Sequence, residues 1–164
     1  MNLTQANVRS FQALIDFGLS LSLFREETHQ ALDNINKEIT RVYEWLVERK
    51  RYWQSQKEYA KEMILQARRA MERCIESARD DSDRRNERHR PDCSEYEEEL
   101  SEAYRYLRYS EEELQNIIHW QHMVEDAVND YYRQASRLNN QLDSHVAKAE
   151  AFLKQKISQL ERYK

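Results

Sequence analysis

The sequence predicts an all-α fold: a long antiparallel two-helix coiled-coil hairpin that assembles into a multi-helix bundle. Three observations predict it. Each half of the chain carries a seam whose members recur at alternating steps of four and three. The first seam runs Leu32, Ile35, Ile39, Val42, Leu46, Arg49, Trp53 and on through Cys74 to Ser77; the second runs from Tyr96, Leu100, Ala103 and Leu107 to Leu142, His145, Ala149 and Phe152. A residue every 3.5 positions stays on one face of a slightly underwound helix. The 164 residues hold one glycine, Gly18, and one proline, Pro91, too little punctuation for a turn-rich domain. Finally, the polar stretch 80–95, DDSDRRNERHRPDCSE, is the single strong break between the two seams.

Composition narrows the class. Charged residues make up 34% and the mean hydropathy is −1.04, yet the polarity is periodic, as in long solvated helices rather than disorder. The net charge is −4 with both signs interspersed, so nucleic acid is not the expected partner, because it calls for a basic stripe. No run approaches the ~20 apolar residues of a membrane span, and no basic segment leads into a small-residue cleavage site. A cytoplasmic protein is the expectation, with leaderless secretion as the alternative.

In chain order, residues 3–24 put apolar groups on more than one helix face, among them Phe11, Phe17, Leu21 and Phe24. Such a helix packs against more than one neighbour, here the second half of the chain and another subunit or partner. A pore-forming segment is the sharper alternative, and Arg9 and Asp16 count against it. Helix one is expected over 4–81, the turn over 82–92 and helix two over 93–163, in one domain spanning 1–164. Pro91 bars helix from its preceding residue. Ser94 with Glu97, or Asp92 with Glu95, has capping-box spacing.

The polar members of the seams suggest a register. Setting Arg49 against Gln121 and Arg25 against His145 also places Ala60 against Ser110, Ile39 against Tyr131, Trp53 against Ile117 and Gly18 against Phe152. A slip of one heptad sets Arg49 against Leu114 or Val128, a buried charge without a partner. In this register Cys74 and Cys93 lie one layer apart. Two reduced thiols are therefore the expectation, and a disulfide at the hairpin tip is the alternative.

Chemistry-bearing patterns are sparse. His119 and His122 share a helix face with Glu125 and Asp126 following, but they sit outside the seam with no second ligand set, so solvated histidines are expected. There is no Gly-rich phosphate loop, GxSxG or HExxH. No cofactor, metal or catalysis is expected. The informative excess is of large residues beside the seams: Tyr43, Trp45, Tyr52 and Tyr59 in the first half, Tyr104, Tyr106, Trp120 and Tyr132 in the second. A two-helix seam does not need them. Tyr and Trp are enriched at interaction hot spots, and widened apolar stripes suit bundles of more than two helices. A homo-oligomer or a helical protein partner is expected.

The residues Phe24, Glu26, Glu27, Ala31, Leu32, Glu44, Trp45, Leu46, Arg51 and Trp53, with PDCSEYEEEL at 91–100, give a pattern that resembles bacterial coiled-coil hairpin proteins of no assigned activity. That resemblance implies a bacterial origin and the same fold. The chain has a remoter resemblance to WXG-type secreted helical hairpins; those carry W-x-G at the turn, where this chain has Pro91 and no glycine. The expected function is a non-catalytic structural or adaptor protein that mediates assembly through coiled-coil faces. A secretion-linked hairpin, or a chaperone or adaptor for an exported effector, is the alternative, and a helical pore-forming toxin is third.

Overall fold

The computed structural model describes residues 3–85 and 92–162, with side chains over 11–77 and 92–162. The chain is an all-α helical hairpin. Helix α1 spans Leu3–Arg85, α2 spans Ser94–Gln141, a π-helical turn covers Leu142–Val146, and α3 spans Ala147–Glu161. Helix α1 thus continues to Arg85, beyond the expected end at 81. Residues 86–91 of the expected turn, Pro91 included, and Tyr163 at the end of helix two lie outside the described residues. The contacts divide into two compact units: unit 1, Met1–Arg41 with Glu125–Lys164, and unit 2, Val42–Val124.

Within unit 2 the inward column of α1 is Leu46, Trp53, Ala60, Ala67 and Cys74, as the heptad spacing predicts; Leu46, Ala60 and Ala67 are buried. Its companion column differs from expectation at its first two members. Val42 and Arg49 are exposed, while Lys50, Lys57, Ile64 and Met71 turn inward. Seven residues make two turns, and a heptad offers two columns on either side of the inward one. The apolar count favoured 42 and 49, which packing turns outward, whereas Gln56, Met63 and Ala70 of the expected column are half-buried as predicted. Lysine serves in the other column because its aliphatic stem covers the seam while its ammonium reaches the rim. Lys50 Nζ donates to Gln121 Oε1 at 3.5 Å, and Lys57 pairs with Glu111 at 2.8 Å. Ser110 is fully buried, its hydroxyl donating to the Tyr106 carbonyl at 2.8 Å, so its polarity is satisfied within its own helix.

The two cysteines are joined, not free. Cys74 and Cys93 form a disulfide with a Cα–Cα distance of 6.2 Å, which corrects the expectation of reduced thiols. The one-layer offset assumed that Cys93 continues the helical seam. In the structure Cys93 is the cap before α2: its carbonyl accepts from Tyr96 N at 3.1 Å and Glu97 N at 3.2 Å. Freed from helical geometry, its side chain reaches back to Cys74.

Asp92 supplies the side-chain part of this helix start. Its Oδ1 accepts the Ser94 hydroxyl at 2.5 Å and the Ser94 N–H at 3.2 Å. These bonds, the hydroxyl first, hold the Asp92 carboxyl below its ordinary 3.8. A carboxyl depressed in the folded state contributes stability that is fully present above its unfolded value and is lost as pH falls through the folded one. Asp92→Asn should therefore flatten the acid limb of the stability profile below pH 3.8. Unfolding midpoints against pH that coincide for variant and wild type would remove Asp92 from that role.

Within unit 1, α1 turns Phe11, Leu14, Gly18, Leu21, Arg25, Leu32, Asn36 and Ile39 inward. Asn36 was not a seam residue by apolar count. Its carboxamide oxygen, like that of Asn139, is buried without a hydrogen-bond partner among the described residues; a polar residue at an inward position fixes register at some cost in stability. The Tyr131 phenol donates to the Leu32 carbonyl at 3.3 Å; burial, then Tyr132 and Asp33, pushes its pKa up.

The π turn decides the rest of unit 1. The Ala147 N–H reaches back to the Leu142 carbonyl, and the Ser144 hydroxyl bonds the Asn140 carbonyl, a local competitor of the helical ladder. A π turn inserts one residue into the helix and advances the phase of every later residue. Leu142 stays buried, but His145 is exposed, and Val146, Glu150, Leu153 and Ile157 face inward. Phe152, expected in the seam, is 57% exposed, with the Lys156 ammonium 5.4 Å from its ring centroid.

Candidate interaction surface

The surface that distinguishes this chain is one flank of unit 2. On α1 the column Trp45, Tyr52, Tyr59 recurs every seven residues, so the three rings stand on one side at a rise of about 10 Å each. They are exposed to 52%, 46% and 58%. Arg49 lies between the first two, its guanidinium 5.8 Å from the Trp45 ring and 5.7 Å from the Tyr52 ring. Such stacking holds a cation on an apolar face without an acid. This is the correction for Arg49: it does not reach Gln121, which Lys50 engages, because Arg49 belongs to the outer column.

The second half contributes rings to the same flank. The Tyr106 hydroxyl donates to Gln56 Oε1 at 2.6 Å, and its ring meets Tyr59 edge-on at 6.5 Å. Tyr109 meets the half-buried Trp53 edge-on at 5.4 Å, and Trp53 meets Tyr52 at 5.1 Å. Edge-to-face rings at these separations attract beyond simple burial. Burial first, then neighbouring Tyr52, Tyr59 and Tyr109, pushes the Tyr106 pKa up. Trp120 stands two heptads beyond Tyr106 and is 57% exposed. Tyr104 lies on the other flank, where Arg68 bonds its hydroxyl and packs over its ring at 5.6 Å, beside the Lys57–Glu111 pair. Unit 2 is therefore two-sided, with an aromatic flank and an ionic one.

The remaining expected residues fall elsewhere. In unit 1, Phe17 and Phe24 are exposed, while Phe11 and Leu21 are half-buried; Tyr132 is exposed beside Tyr131. Tyr43 is at the edge of exposure. Arg25 pairs with Glu150 at 2.7 Å instead of with His145, because the π turn carries His145 away and brings Glu150 in. His29 takes Asp143 at 3.3 Å. A groove of about 490 Å³ runs along Ile15, Gly18, Ser22, Ala147 and Ala151, on the opposite side of α1 from Phe17 and Phe24. Tyr109, Met123 and Phe152, all exposed, were missed as surface residues. Tyr109 and Met123 follow the heptad column beside Trp120 and were legible; Phe152 was not, since the phase shift hides it.

Among the described residues no group of three His, Cys, Asp or Glu converges on a common point, and no helix is long and apolar enough to cross a membrane. The chain matches no family model, no curated protein and no solved structure.

Proposed function

We propose that this chain is a non-catalytic structural or adaptor protein that assembles with protein partners, its own copies or another helical chain, through the aromatic flank of unit 2. The observation that carries this reading is the exposed column Trp45, Tyr52 and Tyr59 at coiled-coil spacing. A helix partner matches a 3.5-residue repeat. The test is light-scattering mass of the purified chain, with capture of defined helical partners, for wild type and for Trp45→Ala/Tyr52→Ala/Tyr59→Ala. A defined oligomer or partner lost in the triple variant supports the reading; a monomer with no flank-dependent partner overturns it.

The Cys74–Cys93 bond favours one second reading, an exported hairpin, because disulfides persist in oxidising compartments and are rare in the cytosol. Thiol trapping in intact producing cells distinguishes the two. An oxidised pair outside the cytoplasm supports export; free thiols in the cytoplasm return the chain to the expected cytoplasmic setting.

A further inference from the structure

We propose that the Cys74–Cys93 disulfide is a redox switch: thiol exchange at Cys74 undocks the first turns of α2 from α1 while the rest of unit 2 stays packed. The inference stands on the tip of unit 2 alone and does not depend on the aromatic flank.

The tip is tied differently from the rest of the unit. Further from it, α1 and α2 are joined repeatedly: Lys50 bonds Gln121 at 3.5 Å, Lys57 pairs with Glu111 at 2.8 Å, Tyr106 bonds Gln56 at 2.6 Å, and Arg68 bonds the Tyr104 hydroxyl. Beyond Arg68 and Tyr104, among the described residues, no hydrogen bond or ion pair joins the two helices, and the disulfide is the link that remains. The seam thins over the same stretch. Ala67 and Ala103 are buried, whereas Ala70, Met71, Cys74, Tyr96 and Leu100 are half-buried. A segment with few buried apolar groups opens locally at a lower free energy than the core, and here one covalent bond opposes that opening.

The start of α2 is built to survive the loss of the bond. The Cys93 carbonyl accepts from Tyr96 N and Glu97 N, and Asp92 takes the Ser94 hydroxyl and N–H. These bonds lie within the start of α2 and do not involve the Cys93 sulfur. Reduction therefore releases the docking of the first turns of α2 on α1, and Tyr96 and Leu100 on one side and Ala70 and Met71 on the other lose their cover.

Access decides which sulfur reacts. Cys93 is 9% exposed, and Cys74 is the more open of the two. A thiolate of a dithiol reductant of the Cys-x-x-Cys class attacks Cys74 Sγ. The Cys74–Cys93 bond breaks, and its electron pair leaves on Cys93, which takes a proton. The second thiolate of the reductant then attacks the mixed disulfide and expels Cys74, which takes the second proton, and the reductant departs as a disulfide. Two electrons and two protons end on the cysteine pair. A disulfide oxidant runs the same steps in reverse and closes the tip.

The test follows amide hydrogen exchange in the full chain, first oxidised, then reduced with dithiothreitol, then reoxidised with glutathione disulfide. Amides of residues 94–103 should exchange at least about 10-fold faster after reduction, those around Leu46 and Ile117 should keep their rates, and reoxidation should restore the slow exchange. Cys74→Ser/Cys93→Ser should match the reduced chain with or without dithiothreitol. A Cys-x-x-Cys reductant whose second cysteine is replaced by serine should stop at the mixed disulfide, and peptide mass mapping should find it on Cys74. Unchanged exchange on reduction, a rise spread evenly over unit 2, or a bond that yields only after denaturation overturns the switch. A mixed disulfide on Cys93 overturns the assigned point of attack.

Discussion

Leu46→Ala is expected to destabilise unit 2 by about 3 kcal/mol, within the range of roughly 2–5 kcal/mol for emptying a buried leucine site. Leu46 is 1% exposed, which makes it one of the largest fully enclosed side chains. The interior of a two-helix pair is one residue deep, so no second layer collapses to fill the space. The inward column at Ala60 and Ala67 already brings the helices close with small residues, and Leu46 is where that column carries bulk. Neighbouring Val47 is exposed, and Val47→Ala should change stability by less than about 0.5 kcal/mol. Denaturant midpoints at fixed protein concentration, read by circular dichroism, decide it. Equal losses for the two variants would show that the seam does not carry the stability of unit 2.

Opening the Cys74–Cys93 bond is the second large effect. The bridge closes a segment of sequence separation 19, and constraining a loop of this size in the unfolded chain is worth about 3 kcal/mol in the chain-entropy model. The loss should be concentrated at the closed end of unit 2, where α2 begins at Ser94. Amides in the first turns of α2 should exchange faster in Cys74→Ser/Cys93→Ser and in reduced wild type, with a lower denaturant midpoint in both. Unchanged midpoints and exchange would mean that capping by Cys93 and Asp92 alone holds this end together.

Much of the fold was legible in the chain because its signals are local. Heptad spacing, the scarcity of Gly and Pro and the polar break specify two long helices folding back in a hairpin, and the column of Leu46, Trp53, Ala60 and Ala67 follows from periodicity. The aromatic flank was legible too, since Trp45, Tyr52 and Tyr59 are surplus to a two-helix seam.

Four features depended on tertiary structure. Which of two columns accompanies the inward one is settled by how α1 seats on α2, and a lysine stem competes there as well as a valine. The π turn after Gln141 has no periodic signature, because a single inserted residue shows itself only through the shifted phase of α3; it exchanged His145 for Glu150 opposite Arg25 and turned Phe152 outward. The disulfide required Cys93 to leave the helical path. The two-sidedness of unit 2, with Tyr106 against Gln56 on one flank and Lys57 against Glu111 on the other, came from the rotation of each helix about its own axis. Spacing fixes which residues share a face, and packing between helices fixes where that face points.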